Sequence, residues 1–430
     1  MERNLSARIK KLLQQFPVVC ILGARQVGKT TLAKALCPNW HYIDLQRPDD
    51  QERIIPNPGL FFKTYPDSVI LDEAQDFPIL FKVLRGVIDE ARDVRGRFII
   101  TGSSSPELLK HLSESLAGRI AILELGTLKA NEIANAPLSD FYSWFSGSFA
   151  DITPKQFAIK TPPLEQKYID QALFEGGYPE VVLATDHSAK QDWFEFYEKT
   201  YLYRDVAMLF PHINKTNFQH FFRTLAYLSG TIINRAQLAR DIECSETSIR
   251  SYLTISEGTF LWRNIPSFER TGYKSLVKMP KGYMADSGLL HYLTRINDIE
   301  MLRQHPMVGK SFEGFVIGEI LKGLQSQSLG SWEAYHYRTK HGAEIDLILE
   351  GRFGILPIEI KYGTSVEQRS ILTLSKFIAC HSRAGGNPCI KETICFSEED
   401  ERLPLGIVIN QADKILWLTP NIIQIPVRYI

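Results

Sequence analysis

Charge imbalance is the first thing this chain lacks: 49 Lys and Arg face 49 Asp and Glu over 430 residues. A neutral chain has no global field to attract a polyanion or a membrane surface, so any nucleic-acid-binding face must be a local one. Cysteines are few and scattered. The six, at 20, 37, 244, 380, 389 and 395, form no C-x-x-C pair and no zinc-ligand spacing. That excludes a zinc ribbon or a disulfide framework and fits reduced thiols in a cytoplasmic protein. No apolar run approaches the about 20 residues of a membrane-spanning helix, and the first apolar stretch does not have the form of a secretory leader. No membrane partner is therefore expected. A chain of this length suggests two or three domains, each able to bury its own core.

What is present begins with Gly23-Ala24-Arg25-Gln26-Val27-Gly28-Lys29-Thr30. The octet fits G-x-x-x-x-G-K-[ST], a loop whose backbone N–H groups and following helix N-terminus cradle phosphates. The context agrees: Val18 to Leu22 reads as a buried strand, Thr31 to Leu36 as a helix, and Pro38 as its stop. Gly23 to Thr31 are the expected nucleotide contacts, with Lys29 on the β/γ-phosphates and Thr30 on Mg²⁺. Strand-like runs at His41 to Leu45, Ser68 to Leu71, Arg97 to Ile100 and Ile120 to Leu125 alternate with helical ones such as Pro78 to Ala91. Alternation of this kind predicts a parallel sheet covered on both faces. Val69-Ile70-Leu71-Asp72-Glu73 delivers two carboxylates at a strand's C-terminal end, where ligands of such sheets bind. Asp72 is expected in the Mg²⁺ shell and Glu73 at the attacking water. Ser103 is a candidate γ-phosphate sensor, the alternative being a helix N-cap before Pro106. Arg119 is a candidate for transition-state charge, in cis or across an oligomer interface, the alternative being a surface arginine. No N-K-x-D motif reads guanine, so ATP is the expected nucleotide.

The segments GARQVGKTTLA, YIDL, VILDEAQ, FIITGSSS and LAGRIAILELGTL resemble the AAA-type ATPases of bacteria and archaea that carry a C-terminal domain of formerly unknown function. Phe174-Glu175-Gly176-Gly177-Tyr178-Pro179-Glu180 and Tyr203-Arg204-Asp205-Val206 extend the resemblance over nearly the whole chain. It implies an α/β P-loop core with a strand inserted between the two motif strands, together with ATP and Mg²⁺. The domains expected are residues 1–163 (ATPase), 164–285 (helical and winged-helix-like) and 286–430 (nuclease-like).

From Leu164 the chain turns helical and aromatic. Trp193, Phe194, Phe196, Tyr197, Tyr201 and Tyr203 read as core and domain interface, with base-stacking platforms as the alternative. Ala236 to Ile242, a turn at Glu243 to Glu246, a helix opening at Thr247 and a β wing within Phe260 to Phe268 resemble a winged helix-turn-helix. Ser248, Arg250, Ser251 and Thr254 are then expected to face outward. Residues 216–285 hold nine Lys and Arg against five Asp and Glu, a local basic bias that makes DNA an expected partner.

In the third region, Ala343 to Glu350 alternates at period two, turns at Gly351 to Gly354, and returns as Ile355 to Lys361. Pairing 350 with 355 puts Asp346 opposite Glu359 and Glu344 opposite Lys361. Opposed carboxylates repel unless a metal cation or a lysine neutralises them; a second divalent metal, Mg²⁺ or Mn²⁺, fits on Asp346 and Glu359 with Lys361 beside it, the alternative being an ion-paired hairpin face. The pattern resembles the PD-(D/E)xK nuclease superfamily. That resemblance implies a helix glutamate, Glu313 or alternatively Glu319, and catalytic roles for Glu313, Asp346, Glu359 and Lys361. Pro357 is expected at an edge or bulge. Residues 379–391 read as an inserted flexible loop. The function expected is an ATPase, with homo-oligomers possible in such proteins, coupling nucleotide turnover to DNA binding or processing. The alternative is a nucleotide switch that binds a protein partner through a non-cleaving nuclease-like domain.

Overall fold

The computed structural model describes residues 1–77, 79–103, 115–149, 157–206, 210, 213–269, 279–339, 342–381 and 405–430. After α1 (Leu5–Leu13) come β1 (Val18–Leu22), α2 (Lys29–Leu36), β2 (His41–Asp44), α3 (Pro48–Ile54), α4 (Pro58–Thr64), β3 (Val69–Asp72), α5 (Leu80–Asp89), β4 (Phe98–Gly102) and β5 (Ile120–Glu124). The five strands form one parallel sheet in the order β2-β3-β4-β1-β5. Every residue of β1, β3 and β4 is buried, as continuous apolar runs are when helices cover both faces of a sheet. β4 separates β1 from β3, the inserted strand that the resemblance implies.

Beyond β5 the chain leaves this sheet. In α6 (Ala130–Ile133) and the 3₁₀ turns of Asp140–Ser146, the side chains of Phe141, Tyr142 and Phe145 share one core with Phe312, Val316, Leu347 and Phe353. By packing, residues 139–149 thus join the C-terminal core, whereas residues 128–134 touch both regions: Asn131 and Glu132 also bond to Asn4 and Arg3 at the start of the chain.

The middle region holds α7 (Gln166–Glu175), α8 (Pro179–Leu183), α9 (His187–Tyr197), a π-helical stretch (Glu198–Asp205) and α10 (Lys215–Tyr227). It continues with β6 (Thr231–Ile232), α11 (Arg235–Asp241), α12 (Glu246–Gly258), β7 (Trp262–Ile265), β8 (Lys281–Met284) and α13 (Ser287–Leu293). β6, β8 and β7 pair antiparallel in that order, beside the two helices that flank the Glu243 turn. Phe194, Tyr197 and Tyr201 are buried in the core shared with the ATPase sheet, which is the interface role expected of them, whereas Phe196 is exposed. The side chain of Tyr203 lies outside the described residues.

The C-terminal region comprises α14 (Ile299–Gln304), α15 (Val308–Gln325), β9 (Trp332–Arg338), β10 (Glu344–Gly351), β11 (Gly354–Ile360), α16 (Gln368–His381), β12 (Gly406–Asn410), β13 (Leu416–Thr419) and β14 (Ile422–Pro426). Its sheet runs β13-β14-β12-β11-β10-β9. Glu350 pairs with Ile355 and Leu347 with Ile358, the expected hairpin register. Pro357 is not at an edge, because β11 lies between β10 and β12. The odd residues of β11 turn their N–H toward β12, as Lys361 N does to Ile409 O at 2.9 Å. The β12 ladder starts only at Ile358, so the missing N–H of Pro357 leaves no ladder bond unmade. Of the expected loop at 379–391, residues 379 to 381 continue α16 and the rest lie outside the described residues.

Candidate functional site

The glycine loop joins β1 to α2, so its amides gather at the C-terminal edge of the sheet. Gly28 is left-handed at φ 91°, a conformation glycine adopts without strain. Gly23 is required by contact instead: a Cβ there would lie 2.2 Å from the carbonyl oxygen of Leu125. Lys29 is buried, and its Nζ donates to the carbonyls of Gly23 at 3.0 Å and Ala24 at 2.9 Å. Burial pushes its pKa down, against the upward pull of Glu73 and Asp72. Thr30 Oγ1 donates to Asp72 Oδ2 at 2.8 Å, which brings the two motifs into contact. Arg25 and Val27 are held from outside the sheet. Tyr197 OH donates to the Arg25 carbonyl at 3.4 Å, and Arg3 donates to the Val27 carbonyl at 2.9 Å. Gln26 and Thr31 are exposed. A cavity of about 350 Å³ adjoins the loop between α1, α2 and α8, lined by Arg3, Gly28, Thr31, Leu32, Leu36 and Pro179.

Two further side chains hold Asp72, and the motifs do not name them. Tyr42 OH donates to Oδ2 at 2.7 Å, and the Thr101 hydroxyl donates to Oδ1. Thr101 is the penultimate residue of β4, two before Ser103, so a polar residue near the end of an apolar strand was the available signal. Glu73 sits just past β3 at φ 53°, a strained value for a non-glycine residue. Its carboxylate accepts from Gln75 Nε2 at 2.7 Å and from Ser103 Oγ at 3.4 Å. Residues 104–114, including the N-cap alternative at Pro106, lie outside the described residues. Arg119 departs from expectation. It precedes Ile120, which pairs with Val18 at the opposite end of the sheet, and it grips Asp89 through two bonds of 2.8 and 3.0 Å. It cannot reach phosphates at the loop of its own chain, which removes the cis role.

The segment from Gly176 to Pro179 locks the middle region to the first. Gly177 N donates to Asp286 Oδ2 at 2.9 Å, Leu128 N donates to Gly177 O at 2.7 Å, and a Cβ on Gly177 would lie 2.2 Å from Leu128 O. Tyr178 is buried among Trp193, Phe194 and Tyr197. On α12, Arg250, Ser251 and Thr254 are exposed and Ser248 is half-buried, so the expected outward face is largely presented.

At the C-terminal sheet the expected residues converge. Asp346 sits at a bulge in the β9–β10 ladder, and its Oδ2 accepts from Ile360 N at 2.8 Å. Lys361 Nζ lies 2.7 Å from Glu359 and 4.0 Å from Asp346. Glu313 on α15 joins them, and Glu319 does not: it is buried two turns away against Lys129 and Lys322. One unexpected residue fills the cluster. Lys281 Nζ, from β8, lies 2.6 Å from Glu313, 2.9 Å from Glu344 and 3.7 Å from Asp346. Burial pushes the pKa of Glu313 and of Glu359 up, and Asp346 adds to both shifts. No group of three or more His, Cys, Asp or Glu side chains among the described residues is arranged to hold a metal ion, and the Lys281 ammonium stands among these carboxylates. The donor set as it stands does not fit the second divalent ion that the sequence led us to expect.

Comparison with known proteins assigns each region. Residues 15–134 match the model of an AAA domain, 166–300 a domain of unknown function (DUF8612), and 308–429 a second domain of unknown function (DUF4143). The chain is 30% identical over 380 residues to the uncharacterized proteins Rv2008c of Mycobacterium tuberculosis and Mb2031c of Mycobacterium bovis, covering 87% of this chain and 75% of each relative. Among solved structures, the Walker-type ATPase paby2304 of Pyrococcus abyssi aligns with TM-score 0.42 at 16% identity, covering 67% of this chain and 94% of that one. A Thermotoga maritima RuvB aligns with TM-score 0.31 at 15% identity, covering 64% and 94%. Likenesses of that size carry nothing about activity. No helix among the described residues is long and apolar enough to cross a membrane.

Proposed function

Because the chain belongs to the family of these mycobacterial proteins and carries an AAA-type P-loop ATPase domain, we propose that it is a Mg²⁺-dependent ATPase whose nucleotide state is read out on DNA. The contact of Thr30 with Asp72 at 2.8 Å carries this reading, because it sets a hydroxyl and a carboxylate side by side next to the loop. The residues fit the nucleotide: Gly28 makes the left-handed turn into the helix that Lys29 opens, and the Lys29 ammonium faces only neutral backbone oxygens that phosphates can replace. Bound ATP and Mg²⁺ supply the transferable phosphoryl group and its charge neutralisation. The amides of Gly23 to Thr31 hold the phosphates, and Lys29 neutralises them. Thr30 and Asp72 hold the metal, with Asp72 fixed by Tyr42 and Thr101. Glu73 orients or deprotonates water, and Ser103 lies close enough to Glu73 to report on the γ-phosphate. The exposed face of α12 in the winged-helix-like module is the DNA contact. ATP hydrolysis by the wild type, Lys29→Ala and Glu73→Gln, with and without duplex and single-stranded DNA, tests this. Unchanged hydrolysis in Lys29→Ala would sink the ATPase claim, and rates indifferent to DNA would sink the readout.

A second reading has its own observation. Lys281 inside the carboxylate cluster favours a non-cleaving nuclease-like domain that serves a nucleotide-dependent switch binding a protein partner. DNA left intact in Mg²⁺ or Mn²⁺, together with hydrolysis indifferent to DNA, is its expected signature.

A further inference from the structure

Lys281 belongs to β8, a strand of the middle module's sheet, yet its ion pairs are with the C-terminal sheet and α15. It is 4% exposed. Tyr283, on the same face of the same strand, donates to the same Glu313 oxygen at 2.5 Å. The module is pinned there by backbone pairing: Phe268 N donates to His336 O at 2.7 Å, and His336 N to Pro266 O at 2.8 Å. Across the cluster Glu359 is 5% exposed, and its Oε2 is buried with no hydrogen-bond partner. Four carboxylates, Glu313, Glu344, Asp346 and Glu359, thus share two ammonium groups, Lys281 and Lys361.

We propose that Lys281 is a tethered counter-ion: the middle module inserts its ammonium into the carboxylate pocket and closes it against divalent metals, an autoinhibitory contact between modules. Replacing that ammonium with a neutral group leaves Lys361, with Arg338 beside Glu344, against four carboxylates, a field that attracts a divalent cation. No part of this inference uses the P-loop, so it stands or falls apart from the ATPase reading.

The test is Mn²⁺ binding by the full chain without nucleotide, followed by loss of the free-ion paramagnetic resonance signal. Wild type, Lys281→Gln, Lys281→Arg, and Lys281→Gln combined with Asp346→Asn are compared. Lys281→Gln is expected to show an Asp346-dependent site at least about tenfold tighter than any in the wild type. Lys281→Arg, which keeps the charge, is expected to stay closed. Equal binding in wild type and Lys281→Gln, or no Asp346-dependent binding in a Lys281→Gln protein with native circular dichroism, overturns the proposal. Should Lys281→Gln fail to fold, the wild type alone decides: a tight Mn²⁺ site that Asp346→Asn removes overturns it, and the absence of such a site supports it.

Discussion

Replacing Glu319 with glutamine is expected to be among the costliest single changes in the molecule, although it removes one charge and no bulk. The Glu319 side chain, on α15, is 1% exposed and lies 3.3 Å from Lys129 Nζ, itself 1% exposed. It also lies 2.6 Å from Lys322 Nζ and accepts from Ala130 N at 2.9 Å. One carboxylate therefore serves two cations, and the deeper cation bears more of the desolvation. Burial pulls the Lys129 pKa down despite Glu319, whereas on Glu319 itself Lys322 and Lys129 outweigh burial and hold the pKa below its ordinary value. Glutamine can still accept from Ala130 N but leaves the buried Lys129 with only Glu132, the weaker of its two acidic neighbours, as counter-charge, a cost toward the lower end of about 3–5 kcal/mol. Lys129→Met leaves Glu319 with Lys322 and Ala130 N, so its cost should be nearer 1–2 kcal/mol. The double variant should recover much of the Glu319→Gln loss, since the ammonium left short of counter-charge is then gone. Urea unfolding of the four proteins, followed by far-ultraviolet circular dichroism and by tryptophan fluorescence, measures these differences. A Glu319→Gln protein within about 1 kcal/mol of wild type would refute the reasoning. So would a Lys129→Met protein as unstable as Glu319→Gln, because the asymmetry between the partners would then be absent.

Three further outcomes are expected. Gly23→Ala drives a Cβ against the Leu125 carbonyl, a backbone atom that cannot rotate away, so fluorescent ATP-analogue binding should weaken by more than about tenfold; unchanged affinity would show that the loop can shift freely. Thr101→Val removes one of the hydroxyls on Asp72 and should lower the hydrolysis rate about tenfold or more while nucleotide affinity changes little; an unaltered rate would deny Thr101 its positioning role. Burial lowers the pKa of His291 to about 4, with its ring nitrogens bonded to Phe174 O and Ser311 Oγ. The unfolded chain takes up that proton first as the pH falls, so this stability is fully present above about pH 6.5 and is lost toward pH 4, by about 3 kcal/mol. Burial lowers the pKa of His336 in the same sense. Urea midpoints measured between pH 7 and pH 4 should fall accordingly, less steeply in His291→Gln, and a profile unchanged by that substitution counts against it.

How much of this was legible in the chain follows from how local each signal is. The phosphate loop and Asp72-Glu73 are contiguous, and their flanking apolar runs fix them at strand ends, so both could be placed in advance. The register that brings Asp346 and Glu359 together could be counted from a single turn because a hairpin's register is local, and the ladder follows it as far as Leu347 and Ile358. Tyr42 and Thr101 were out of reach because they meet Asp72 only through the order of three strands, which no motif encodes. Lys281 was further still: it stands 32 residues from Glu313 and 63 from Glu344, and it reaches them across a module boundary. Pro357 misled because proline signals an edge only on average, whereas the local fact is where the neighbouring ladder begins.

The two buried lysines of the functional regions show why one site is suited to exchange and the other to closure. Lys29 bonds to neutral carbonyls of its own glycine loop, so a polyphosphate offers its ammonium a stronger partner than the one it gives up. Lys281 bonds directly to carboxylates, with Tyr283 bonded to one of them. A metal entering that cluster must compete with charge-assisted bonds already made and must leave an ammonium stranded in a buried pocket, a penalty of the same kind as removing the Glu319 charge from beside Lys129. Nucleotide can therefore come and go at the first site while β8 stays docked, but a divalent cation can occupy the second only if β8 moves.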